Sequence, residues 1–292
     1  MKLTSNDFKR KIDNAFKFYN INEKYKNRCY ECIDSINDSK ELQKSFYKVY
    51  KRLYFNDFSD IRKLWNIKNI NELFTNNVNP FITNIMILLG YEFHINNIKK
   101  YNLDYNQIVI HKKRVKECFE NDIENRGYEG IRISQMLWAI YFIRLRIIEV
   151  GRLQYQYSIT DEGKQVIKIH IPKGKKLDIL SVKKSIHDSK NELYKIFKVS
   201  NCEYVCNSWL LSNQIHELVN KDTNIYQFQE LFNIENGENC IEDILNFVYE
   251  MENCDDYSLL SEKTCLQRKI KEQLLNGRVF YLGLGILKKV VI

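Results

Sequence analysis

The stretch GRLQYQYSITDEGKQVIKIHIPKGKKLD, from Gly151 to Asp178, decides the fold. Leu153, Tyr155 and Tyr157 alternate with Arg152, Gln154 and Gln156. After Thr160-Asp161-Glu162-Gly163, Ile167, Ile169 and Ile171 alternate with Val166, Lys168 and His170. Period-two alternation on both sides of a polar, Gly-containing turn predicts a β-hairpin. Pro172 ends the second strand. Asp178 or Ser181 caps the helix that follows, whose apolar stripe is Ile179, Val182, Ile186, Leu193 and Phe197. A strand that ends in a basic, Gly-containing turn before a helix can hold an anionic group, because unpaired N–H groups and the helix dipole point at it. Taken without other information, the turn reads equally as a plain surface turn.

Downstream, Tyr204 to Leu211 reads as a third strand, and Ser212-Asn213 caps a short helix carrying Ile215, Leu218 and Val219. Ile225, Phe228, Leu231 and Phe232 mark another short helix. Ile244 to Glu250 reads as a strand. Thr264 to Asn276 is a helix with Leu266, Ile270 and Leu274 on one face and Gly277 at its stop. Val279 to Val290 closes the chain as a Gly-interrupted strand.

Upstream the period is that of helices. Phe8, Ile12 and Phe16 follow the cap-like Ser5 and Asn6; Leu42, Phe46, Val49 and Leu53 follow Ser39. Tyr25, Cys29, Cys32, Ile33 and Ile36 form a third stripe, and Pro80 suits the first turn of a helix carrying Ile82, Ile85, Met86 and Leu89. These stripes predict a helical bundle. The polar segment Asn125 to Gly130 is taken as the boundary. The chain is thus expected to be α+β: a helical N-terminal domain over residues 1–125 and a mixed-sheet domain over residues 126–292.

Composition narrows the function classes. The chain has 292 residues, 44% of them hydrophobic and 28% charged, enough for two compact domains. No apolar run is long enough to span a bilayer, and no secretory apolar stretch follows Met1. A soluble cytoplasmic protein is expected, with its eight cysteines reduced. Cys29-x-x-Cys32 has no second pair at zinc-finger distance, so no metal site is expected. The net charge of +8 is dispersed along the chain, not gathered on one face, which disfavours a nucleic-acid partner.

One resemblance carries function. GRLQYQ (Gly151 to Gln156), HIPKGKKLD (His170 to Asp178), CNSWLLS (Cys206 to Ser212), NIYQFQELF (Asn224 to Phe232), FVYE (Phe247 to Glu250) and TCLQRKI (Thr264 to Ile270) occur in one order. The series resembles the C-terminal half of bacterial two-domain acyltransferases, in which a helical N-acyltransferase N-terminal domain precedes a GNAT-like domain. The N-terminal half is similar only in helical character.

The resemblance implies direct transfer of an acyl group, acetyl foremost, from acetyl-CoA or another acyl-CoA to a small-molecule or peptide amine. It implies that the backbone of Ile167 to Ile171, at Ile169 and Ile171, pairs with the pantetheine arm. The turn Lys173-Gly174-Lys175-Lys176 then faces the pyrophosphate, and Asn207 bonds the pantetheine amides. The family's phosphate loop has two spaced glycines; this chain has Gly174 alone. That departure keeps open a degenerate module that binds a CoA ester or a protein partner without turnover. His170, whose imidazole type titrates near neutrality, is the candidate base, or else a structural histidine. Tyr226 is the candidate acid for the leaving thiolate, or else a core or surface tyrosine. Arg152 and Gln154 are either substrate contacts or a solvated strand face. A Cys206–His170 nucleophilic pair is conceivable on adjacent strands but lacks an orienting third group.

Overall fold

The structure, a computed structural model, describes residues 5–55, 79–174 and 176–289. It forms two compact units, Met1–Glu149 and Val150–Ile292.

The first unit is helical: α1 (Ser5–Tyr19), α2 (Lys26–Asp38), α3 (Lys40–Phe55), α4 (Ile82–Leu89), α5 (Tyr91–Lys100), α6 (Tyr105–Arg126) and α7 (Ile133–Ile143). The apolar stripes form its core. Phe8, Ile12, Phe16, Cys29, Cys32, Ile33, Phe46, Val49 and Leu53 are all buried, and α4 is buried along its whole length. Ser39 accepts the Leu42 N–H at 3.2 Å, as a cap should.

The segment expected as a boundary, Asn125 to Gly130, is a tight link inside this unit. Gly127 ends α6 at φ 72°, and Tyr128 N–H reaches back to Asp122 O at 3.2 Å. The Asp122 carboxylate is fully buried and takes two hydrogen bonds from the Arg132 guanidinium, at 3.0 and 3.1 Å. This pair folds α7 back onto the bundle, where Met136, Ile140 and Phe142 join the helical core. The two compact units divide after Glu149.

The strand β1 (Ile147–Val150) straddles that division. It is followed by β2 (Leu153–Ile159), β3 (Gln165–His170), α8 (Ile179–Phe197), β4 (Glu203–Ser208), α9 (Asn213–Leu218), α10 (Asn224–Gln229), β5 (Phe232–Asn239), α11 (Ile241–Val248), α12 (Cys265–Leu275) and β6 (Tyr281–Leu287). The six strands form one mixed sheet in the order β1-β2-β3-β4-β6-β5. The hairpin is as expected: β2 and β3 are antiparallel, with Gln154 opposite His170 and Ile159 opposite Gln165. Hydroxyl groups hold α8 against the sheet. Ser185 Oγ accepts the Leu153 N–H at 3.2 Å and lies 2.8 Å from Tyr155 OH, and Ser189 Oγ lies 3.1 Å from Tyr204 OH.

Three elements differ from expectation. The expected strand Ile244 to Glu250 lies mostly in α11, because Ile241, Ile244, Leu245 and Val248 recur at helical spacing. The expected third strand stops at Ser208, and Trp209–Leu211 is a 3₁₀ turn. The strand β5 was not anticipated: FNIENGEN is polar and lies at the sheet edge, so it has no apolar alternation to reveal it. The glycines of β6 have a steric cause. A Cβ on Gly283 would come within 2.1 Å of Leu211 O, so the 3₁₀ turn after β4 can dock only on a bare backbone.

Candidate active site

The site begins where β3 and β4 part. They run parallel with Val166, Ile167 and Lys168 opposite Glu203, Tyr204 and Val205, and among the described residues their ladder goes no further. Beyond it, Ile169 and His170 still pair with β2, while Cys206, Asn207 and Ser208 pair with β6. Two strand edges thus diverge from a common origin, with the backbone of Ile169 to Ile171 on one side and that of Cys206 to Ser208 on the other. Unpaired strand edges carry N–H and C=O groups that seek partners.

Alternation assigns the faces. Tyr155, Ile167, Ile169, Tyr204, Cys206 and Ser208 fall on the α8 side, because Tyr155 and Tyr204 both meet serines of α8. Arg152, Gln154, Gln156, Lys168, His170, Val205 and Asn207 fall on the other. His170 and Asn207 therefore share one face across the divergence, His170 half-buried and Asn207 exposed. Cys206 is on the opposite face, and burial pushes its thiol up to about 12, so it is not a thiolate paired with His170.

Gln154 and Gln156 are buried, not solvated. Gln156 Oε1 lies 2.9 Å from His170 Nε2. An amide oxygen only accepts, so in this orientation of Gln156 the His170 Nε2 is the donor. Arg152 is also buried and braces the turn: Nε donates to Lys176 O at 2.7 Å and Nη1 to Pro172 O at 3.1 Å. Within that turn Gly174 has φ 103°, a conformation that favours glycine, and Lys173 pairs with Glu250. Lys175 lies outside the described residues. Asp178, not Ser181, caps α8, accepting the Ser181 N–H at 2.9 Å; this bond holds its carboxyl below the usual range. A carboxylate thus already sits at the positive end of α8.

Tyr226, on α10, stacks on His216 with ring centroids 4.3 Å apart. It lines a groove of about 500 Å³ with Ile179, Lys183, Lys221, Gln227, Glu230, Leu231 and Lys288, none of which belongs to β3 or β4. Among the described residues, no group of three or more His, Cys, Asp or Glu could hold a metal ion, and no helix is long and apolar enough to cross a membrane.

A strand order with a diverging parallel pair and a turn-to-helix junction beside it has a counterpart among known proteins. Residues 147–287 match the family described as GNAT-like C-terminal domain. This part of the chain is a GNAT-like domain. The whole chain is similar in fold to an acyltransferase mutant, Orf11*, in complex with octanoyl-CoA, with TM-score 0.75, 15% identity, and coverage of 96% of this chain and 88% of that one. It is similar to an acyltransferase in complex with decanoyl-CoA, with TM-score 0.70, 16% identity and coverage of 94% and 98%. It is also similar to an acyltransferase in complex with CoA and 10C-teicoplanin, with TM-score 0.74, 15% identity and coverage of 94% and 87%. At that identity the likeness is one of fold. No curated protein matches the chain in sequence.

The GNAT-like domain thus brings together Ile169, Ile171, His170 and Asn207 around the divergence. Tyr226 lies in the groove beside α8 and α10. Sequence reading missed Gln156 as the partner of His170. The available signal was the pair Gln154 and Gln156 alternating with Leu153 and Tyr155, a pattern that reads as a solvated face unless the strand is buried on both sides.

Proposed function

We propose that this chain transfers an acyl group from an acyl-CoA to an amine by direct attack. The observation that carries the reading is the end of the β3–β4 ladder at Lys168 and Val205, which leaves main-chain groups of Ile169 and Ile171 for the two amides of a pantetheine arm. Asn207, on the facing edge, is the proposed second contact. The thioester carbonyl then takes a backbone N–H near Ile171, which stabilises the oxyanion as the tetrahedral centre forms.

His170 is the proposed base. Oriented by Gln156, the ring accepts a proton from the attacking ammonium or amine, directly or through one water. The amine nitrogen forms the C–N bond, the C–S bond breaks, and the departing CoA thiolate takes a proton. Tyr226 is the proposed acid for that last step. The turn around Gly174, with Lys173 and Lys175, is the proposed neighbour of the pyrophosphate.

The acyl group and acceptor are read from the similar folds. Those acyltransferases hold octanoyl-CoA and decanoyl-CoA, which favours a medium-length chain over the acetyl group expected from sequence. One holds CoA and 10C-teicoplanin, so an amine on a large amphipathic molecule belongs in the acceptor panel beside small amines and peptides. The test is release of free thiol from acetyl-, octanoyl- and decanoyl-CoA over such a panel. Amine-dependent release, fastest with the longer esters, supports the reading. CoA-ester binding with no release across the panel would replace it by a binding module, the reading that the single glycine of the turn favours.

A further inference from the structure

We propose that the outward face of α3 docks on an anionic lipid surface, through Lys40, Lys44, Lys48, Lys51 and the ring of Phe55. The assignment concerns the helical unit and does not depend on the acyl-CoA reading. It asks for no spanning segment. Three observations carry it.

The first is how the helix gathers charge. Over the whole chain the net charge of +8 is dispersed. Within KELQKSFYKVYKRLYF the lysines recur at spacings of four, four and three, so the helical period brings them to one face. They cover about 80° of the helix circumference and about 16 Å of its length. All four are exposed, while Phe46, Val49, Leu53 and Tyr54 are buried on the opposite side. Arg52, half-buried, borders the row, and Glu41, the acid of α3, lies in the first turn.

The second is that this charge is not neutralised within the protein. Elsewhere in the helical unit lysines meet carboxylates: Lys9 with Asp34, Lys11 with Glu92 and Lys26 with Glu23. Among the described residues, no side chain of the four α3 lysines has an ion pair or a hydrogen-bond partner. Ammonium groups one turn apart repel one another, and an opposing layer of anions removes that cost.

The third is Phe55. It is 65% exposed, and helical spacing places it on the lysine face, one turn beyond Lys51. Phe93 and Tyr50 back its ring, with centroids 5.2 and 6.1 Å away, so the ring is held at the surface. An apolar ring among ammonium groups fits the boundary between headgroups and acyl chains. The ring enters the apolar layer, and the lysines stay at the phosphates. Compact ammonium charges in a row suit a field of headgroups. A duplex presents a phosphate ridge with no apolar layer for the ring, so the exposed Phe55 favours lipid.

The experiment is sedimentation of the full chain with two kinds of vesicle: phosphatidylcholine alone, and phosphatidylcholine with about one-third phosphatidylserine. Binding is expected on the anionic vesicles and not on the neutral ones, and it should fall steeply between about 0.1 and 0.5 M salt. Lys44→Gln, Lys48→Gln and Lys51→Gln combined should weaken it about a hundredfold, at about fivefold per lysine. Phe55→Ser should weaken it about tenfold and leave the salt dependence unchanged. Glutamine keeps the helix propensity of lysine, and melting temperatures serve as the folding control. Equal binding to both vesicles, binding to neither, or binding that survives the triple substitution overturns the proposal. Unchanged affinity in Phe55→Ser overturns the inserted ring and, with it, the choice of lipid. Tighter binding to a DNA duplex at equal phosphate concentration, lost in the triple variant, gives the row to nucleic acid instead and also overturns it.

Discussion

His94 and His111, in the helical unit, and His170, in the GNAT-like domain, are three imidazoles under opposite constraints. His94 and His111 are fully buried side by side, with ring centroids 5.7 Å apart. One nitrogen of each is bonded, to Tyr19 OH and to Phe142 O, and each Nε2 meets no partner among the described residues. Burial drives His94 well below the usual imidazole range, helped by His111 and Lys112, and drives His111 down to about 4. They are neutral packing groups that exchange no proton at neutral pH. His170 is half-buried at a strand end, its Nε2 held by an amide oxygen. The difference shows how one residue type serves as filler where it is sealed and as a candidate base where one nitrogen is oriented and the ring reaches solvent.

The sharpest way to break that contrast is to remove His170. His170→Gln should lower turnover about 10²–10⁴-fold with the melting temperature nearly unchanged. Turnover at the native rate would take the base role from this residue. The helical unit should respond in the reverse sense. Asp122→Ala strands the Arg132 guanidinium beside a buried site and should cost about 3–5 kcal/mol in urea denaturation. A loss smaller than about 1 kcal/mol would mean that the pair does not hold α7 to the bundle.

Acid sharpens the comparison further. The folded-state values of His94 and His111 lie below that of an unfolded histidine, so their stability contribution is complete above about pH 6.5. It is lost as pH falls towards the folded value, about 4 for His111. Between pH 6.5 and 5 each should contribute a slope approaching about 1.4 kcal/mol per pH unit. Denaturation midpoints measured across this range should fall, and His111→Asn should flatten the fall; a flat native profile would contradict the buried-neutral description. The smallest effect belongs to the GNAT-like domain's own scaffold. Thr264 and Gln267 form a reciprocal cap on α12, and Thr264→Ala should cost about 1 kcal/mol with activity retained.

What could be read from the chain follows from how local its cause is. The hairpin, its Thr160–Gly163 turn and the start of α8 at Asp178 or Ser181 are set by neighbours in sequence and were legible, whereas the equally local Thr264–Gln267 cap of α12 was not read. The edge strand β5 was not, because its polar residues become a strand only by pairing with β6. Nor was the Asp122–Arg132 bond that recruits α7, which leaves no periodic signal. At the candidate site, the strand and the turn were legible. The buried Gln156 partner, the bracing by Arg152 and the lysines of the groove depend on how distant segments meet.

A crystal structure of the protein with octanoyl-CoA tests the transferase reading most directly. The expected result is a pantetheine arm lying between the diverging edges, hydrogen-bonded to the main chain of Ile169 and Ile171, with the thioester on the His170 side of the sheet. An arm bound elsewhere, with the β3–β4 opening closed by side chains, would contradict it.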